Sequence, residues 1–170
     1  MRRMRTVVIA LVFSVAAAAA SAHADGLTDH AARAVVQASE DAWKRMDFDK
    51  AAALHSDDCA VTDASPGSDG KLVTSTTKCR EMFDTGRRSF SELRAKGGEI
   101  HYGSTITAVR LQGDKAVVSL HAIVTMGLNG KTMRMESDQV ETVQSRSGKL
   151  LITASDSKTT SEIVDGRRVY

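Results

Sequence analysis

Residues 99–156, EIHYGSTITAVRLQGDKAVVSLHAIVTMGLNGKTMRMESDQVETVQSRSGKLLITASD, alternate apolar and polar side chains with a period of two and are cut by three turn signals. Ile100, Tyr102, Ile106 and Ala108 mark the first arm, which ends near Leu111. Gln112-Gly113-Asp114 then turns the chain into Ala116, Val118, Leu120, Ala122, Val124 and Met126. Asn129-Gly130 suits a type I′ hairpin, because both central positions need a positive φ. It leads into Met133, Met135, Ser137, Gln139, Glu141 and Val143, and Ser147-Gly148 turns again into Leu150, Ile152, Ala154 and Asp156. The pattern predicts a four-stranded antiparallel meander.

The turns set the register, since a slip of one residue would carry the apolar set to the wrong face. A three-residue loop at 112–114 pairs Ile106 with Leu120 and Tyr102 with Val124. The Asn129-Gly130 loop pairs Met126 with Met133 and Val124 with Met135. The Ser147-Gly148 loop pairs Val143 with Ile152, Glu141 with Ala154 and Gln139 with Asp156. One face is therefore apolar at one end and polar where Ser137, Gln139, Glu141 and Asp156 gather. The other carries Ser119, His121, Ile123, Asp138, Val140, Thr142 and Thr153.

Upstream the period is helical. Thr28 can cap a helix with Ala31, Val35, Ala38, Ala42 and Met46 on one stripe and Trp43 beside it. Asp47-Phe48-Asp49 interrupts it and caps a short second helix. A strand spans Cys59 to Asp63, a turn-rich loop spans residues 65–70, and Ser75 can cap a third helix. That helix carries Cys79, Met82, Phe83, Gly86, Phe90 and Leu93 on one stripe, and Gly97-Gly98 ends it.

At the amino end, Arg2, Arg3 and Arg5 precede an apolar run from Val7 to Ala20, then Ser21-Ala22-His23-Ala24. A basic segment, an apolar run and a small-x-small site make a secretory signal peptide over residues 1–24. The run falls short of the ~20 residues that span a bilayer, so no membrane anchor is expected after cleavage. Cleavage removes three of the 23 basic residues and none of the 21 acidic ones, leaving a formal charge of −1 where the whole chain carries +2. The apparent basicity belongs to the leader and does not indicate a nucleic-acid partner. The expected location is periplasmic or secreted, where an even cysteine count favours a Cys59–Cys79 disulfide.

Two further stretches carry a resemblance. AWKRMDFDKAAALHSDDCAV, residues 42–61, resembles the first two helices and first strand of the SnoaL-like, nuclear-transport-factor-2-like (ketosteroid-isomerase-like) superfamily. Ser147-Gly148-Lys149-Leu150-Leu151-Ile152 is similar to its penultimate turn and last strand, with Leu150 where a tryptophan is common. The resemblance covers roughly residues 28–158 and implies an α+β fold, a cone-shaped, strongly curved antiparallel sheet packed on three N-terminal helices. Residues 25–158 would form that domain, and residues 159–170 a C-terminal tail able to fold as a small hairpin about Asp165-Gly166. Such a fold hosts isomerases, cyclases, dehydratases and non-catalytic binding domains, so it names no reaction.

Within the cone, Asp156, Glu141 and Tyr102 are the candidates for catalysis, because an acid on an apolar face keeps its proton to higher pH. Met82, Met126, Met133, Met135, Ser137 and Gln139 are the candidate ligand-pocket residues, the methionines supplying an adaptable apolar wall. His121 and Asp138 fall opposite one another on the outer face, which reads as a cross-strand pair. The histidines show no metal-ligand spacing; His121 would lie ~13 Å along the strand from His101. Arg80, Arg87 and Arg94 recur on the third helix among Glu81, Asp84 and Glu92, a solvated face. No phosphate-binding glycine loop or serine-hydrolase elbow occurs, so no cofactor is expected. The leading expectation is an exported domain that binds a small apolar ligand or a protein partner without turnover. A lyase or isomerase using a pocket carboxylate is the alternative, and a periplasmic inhibitor or immunity-type partner a third. Val117, Ile123, Val140 and Leu151 on the outer face predict a homodimer.

Overall fold

The computed structural model describes residues 26–170, so the leader reading over residues 1–24 lies outside them. Thr28 caps α1 (Asp29–Lys44), its hydroxyl accepting from the Ala31 amide at 3.1 Å. The helix buries Ala32, Val36, Ser39, Glu40 and Ala42. The buried stripe is thus turned by about one residue from the expected Ala31–Val35–Ala38 line. Asp47 caps α2 (Phe48–Ala52) by accepting from the Lys50 amide.

After α2 the chain enters β1 (His55–Pro66), turns at residues 67–71 and returns as β2 (Leu72–Lys78). Residues 72–78 therefore form a strand, and Ser75 pairs with Asp63 instead of capping a helix. Val73, Thr74, Thr76 and Thr77 are β-branched and gain more from the ladder than from helix. The third helix, α3 (Cys79–Ala95), begins without a side-chain cap. It stops at Gly97, whose φ of +75° suits a glycine.

The meander follows as β3 (Glu99–Gln112), β4 (Lys115–Leu128), β5 (Lys131–Arg146) and β6 (Lys149–Val164). A two-residue β7 (Arg167–Arg168) folds back on β6 around Asp165-Gly166. The sheet order is β2-β1-β6-β5-β4-β3, curved, and antiparallel except where β1 runs parallel to β6. The domain does not stop at residue 158. β6 continues beside β5 to the Met133–Val164 pair, and the Thr132 amide donates to Asp165 at 2.8 Å.

Bulges decide which residues face inward. The β3–β4 turn holds two residues, with Gln112 opposite Lys115, and an extra residue at Thr107 restores the expected Ile106–Leu120 and Tyr102–Val124 pairs. β4 and β5 pair as expected from Leu128–Lys131 through Val124–Met135. On β6, Val143 faces Ile152 as expected, but a bulge at Thr153 shifts everything beyond. Glu141 faces Ser155, Gln139 faces Ser157, and Asp156 faces Val140 on the outer side. A second bulge follows at Thr160.

Two apolar clusters hold the layers together. Leu27, Ala32 and Val36 pack on Ala116, Val118, Leu120, Val143 and Ile152 of the sheet. Ala42, Phe48, Ala51, Val61 and Phe83 form the second, closed by the Cys59–Cys79 disulfide between β1 and α3, with Cα atoms 5.4 Å apart.

Candidate functional site

Beside the second cluster the helices and the sheet form a partly open cavity of about 590 Å³, a size typical of small-molecule sites. Trp43 and Met46 at the end of α1, Phe48 from α2 and Met82, Phe90 and Leu93 from α3 form its helical wall. Ile100, Val124 and Met126 face them from the sheet. Trp43 anchors the aromatic part, with ring centroids 5.3 Å from Phe48, 5.5 Å from Phe83 and 6.1 Å from Tyr102. The wall comes close at Gly86, where a Cβ would stand 3.0 Å from the Phe48 ring.

Three ionisable side chains meet at the polar end. The Tyr102 hydroxyl donates to Glu40 Oε2 at 2.6 Å, joining β3 to α1. The Ser155 hydroxyl donates to Glu141 Oε1 at 2.9 Å, joining β6 to β5. Glu141 Oε2 is buried without a hydrogen-bond partner, and among the described residues it is the one side-chain nitrogen or oxygen in that condition. Glu40 is 3% and Glu141 5% exposed.

Burial governs their ionisation. Removal from water pushes Glu141 up to about 8, against the hydrogen bond from Ser155, and the negative charges of Glu40 and Asp156 add to the rise. Burial also raises Glu40, opposed by hydrogen bonds from Ser104 and Tyr102 and by the charge of Lys44. Tyr102 is raised by burial and then by the adjacent Glu40, so it stays a hydroxyl donor. His55 lines the same cavity, and burial lowers it; its Nδ1–H donates to the Ala51 carbonyl at 2.9 Å.

The structure brings together some of the residues expected from the sequence and separates others. Tyr102, Glu141, Gln139, Met82 and Met126 line the cavity. Asp156 does not: the Thr153 bulge turns it to the outer face, where it is exposed. Met133, Met135 and Ser137 lie outside the lining; Met135 accepts from Thr159, and buried Ser137 accepts from Gln139. Glu40 is the functional group that the helical reading missed. The Ala32–Val36–Glu40–Trp43 line has helical spacing too, and with alanine on several faces of α1 the sequence does not choose between the two stripes.

Elsewhere, His121 Nδ1 lies 2.9 Å from Asp138 on the outer face. Arg87 pairs with Asp49 and with Asp84 on the surface of α3, and Arg94 stacks over Phe90. Among the described residues, His55, Cys59 and Cys79 form a cluster of metal-ligating types, and both sulfurs are spent in the disulfide.

This architecture is shared by solved proteins. A ketosteroid isomerase-like protein from Erwinia carotovora atroseptica superposes with a TM-score of 0.59 at 16% identity, covering 78% of this chain and 96% of its own. A nuclear-transport-factor-2-like protein with a cystatin-like fold from Novosphingobium aromaticivorans gives 0.59 at 13% identity, covering 77% and 80%. A protein from Kribbella flavida gives 0.59 at 14%, covering 78% and 90%. No family model and no curated protein matches the chain. The fold is the nuclear-transport-factor-2-like, cystatin-like α+β fold. At these identities the likeness is one of fold, and function has to be argued from the cavity.

Proposed function

We propose that this is an exported binding domain that holds a small, largely apolar molecule in the cavity between its helices and its sheet. The observation that carries the reading is the joint presence of an apolar cavity and, at its polar end, one buried carboxyl oxygen without a partner. An unmet buried polar group costs about 1–3 kcal/mol, and a ligand that satisfies it recovers that cost on binding. Export is supported by the leader pattern over residues 1–24 and by the Cys59–Cys79 bridge. The bridge pins α3, one wall of the cavity, to β1.

Trp43 is the single tryptophan and lines the cavity, so its fluorescence reports occupancy. Titration with a neutral naphthyl probe should give saturable one-site quenching. Val124→Phe, which fills the cavity from β4, should weaken binding by about tenfold or more, the cost of overpacking expressed as affinity. Equal binding by the filled variant, or no saturable signal, would overturn the reading.

A second reading is acid or base catalysis by Glu141 in a lyase or isomerase. It is favoured by one observation, the Glu141 carboxyl buried at the polar end of the cavity, where desolvation pushes it up to about 8. Hydrogen–deuterium exchange into a bound enolisable ketone, lost in Glu141→Gln, would establish it. Binding without exchange would leave the domain a binder.

A further inference from the structure

Building on the binding reading, we infer that the occupant of the cavity is a lipophilic amine, held as its ammonium ion against Glu141 and Glu40. The cavity lining contains three acids, Glu40, Asp63 and Glu141, and neither lysine nor arginine. Four donors at its polar end are already engaged. Tyr102 donates to Glu40, Ser155 to Glu141, Gln139 to Ser137, and His55 to the Ala51 carbonyl. What these groups leave open are two acceptors, the amide oxygen of Gln139 and the second ring nitrogen of His55, and the Glu141 Oε2, which accepts once its proton has left. A neutral carbonyl could accept from protonated Glu141, but it brings no donor to the other acceptors and no charge opposite to the acids. An ammonium brings donors and the positive charge that two neighbouring acids lack.

The walls suit the same class. Trp43, Phe48 and Phe90 present aromatic rings along the helical side, and such rings attract a cation as well as the hydrocarbon that carries it. Without a cation beside it, Glu141 keeps its proton, because burial outweighs the hydrogen bond from Ser155. Entry of the ammonium stabilises the carboxylate, and the proton leaves to solvent. The ligand keeps its own protons, and no covalent bond changes.

The test uses the full-length exported protein and three probes with one ring system: 2-naphthylmethylamine, 2-naphthylmethanol and 2-naphthoate. Calorimetry near neutral pH should rank the amine about tenfold or more tighter than the alcohol, the margin of a charge-assisted over a neutral hydrogen bond. The carboxylate should bind weakest. Repeating the amine titration in buffers of different ionisation enthalpy should reveal release of about one proton, with none for the alcohol. Glu141→Gln should bring amine and alcohol to within about threefold of each other, because the one acid with an unpartnered oxygen is gone. The proton-release measurement on the unaltered chain keeps the inference testable if that variant fails to fold. Equal affinity for amine and alcohol, tighter carboxylate binding, absent proton release or undiminished selectivity in Glu141→Gln would each overturn the amine inference. Those outcomes leave the binding reading standing, whereas failure of all three probes to bind would remove both.

Discussion

Replacing Glu141 by glutamine separates the electrostatics of the buried acid from its shape. Folding moves the Glu141 carboxyl from its ordinary 4.5 to about 8. The folded chain therefore binds a proton that the unfolded chain releases, and stability falls as pH rises through this window. The contribution is fully present below the unfolded value and is lost by the time pH passes the folded one. Between about pH 5 and pH 8 the loss is roughly 3–4 kcal/mol, at about 1.4 kcal/mol per pH unit once the unfolded group has ionised. Glutamine keeps the acceptor for Ser155 and cannot ionise, so Glu141→Gln should lose this contribution to the pH dependence, while those of Glu40 and His55 are common to both proteins. Urea unfolding of the oxidised protein at several pH values measures the difference. The two proteins should lie within about 1 kcal/mol of each other at pH 5, and the variant should be the more stable by several kcal/mol at pH 8. Parallel curves for the two proteins across that range would show that Glu141 does not titrate in a buried site, and the electrostatic argument would fail.

Tyr102→Phe removes the donor to Glu40 and should cost about 1–3 kcal/mol in urea unfolding, since a buried carboxyl loses a partner; no change would mean that Glu40 is solvated. The double change Cys59→Ser, Cys79→Ser opens a 20-residue separation and should cost about 3 kcal/mol by loop entropy, read as a lower urea midpoint. Gly98→Ala should destabilise by about 1–3 kcal/mol, because its Cβ would overlap the Leu93 side chain and come within 3.0 Å of the Gly127 carbonyl. Light scattering should give a dimer mass if two copies pair through the outer sheet face, and Ile123→Glu, among part-exposed Val117, Val140 and Leu151, should return the monomer; a monomeric unaltered chain would refute that pairing.

The meander was legible in the sequence because each hairpin announced itself twice, by turn chemistry and by two-residue alternation. The β4–β5 pairing from Leu128–Lys131 to Val124–Met135 follows directly from Asn129-Gly130. β2 was not legible. Its residues 72–78 are exposed apart from half-buried Thr77, so no inward-facing apolar set marks them as strand. The phase of α1 was ambiguous for the opposite reason, since alanine satisfies either stripe and only packing of Ala32 and Val36 on the sheet, with the Tyr102–Glu40 bond, selects the one that includes Glu40. Local pattern fixes where a strand runs; it is weaker evidence for which of two adjacent faces turns inward.

The site depends on that weaker point. Alternation without interruption would place Glu141 opposite Ala154 and both Gln139 and Asp156 on the inner face. One extra residue at Thr153 places Ser155 opposite Glu141 and Ser157 opposite Gln139, and sends Asp156 to the outside. The inner face thereby loses a third carboxylate beside Glu40 and Glu141 and gains a hydroxyl that satisfies Glu141 Oε1. Had Asp156 pointed inward, three acids would have crowded one low-dielectric end of the cavity, each raising the others. Instead Glu40 is held by Tyr102 and Ser104, Glu141 by Ser155, and one buried Glu141 oxygen is left over for a ligand. A deletion of Thr153 that restores simple alternation is therefore the sharpest structural perturbation of this site. It would return Asp156 to the cavity and Ser155 to the surface, and should abolish probe binding at Trp43 while the β4–β5 hairpin, upstream of the bulge, keeps its pairing.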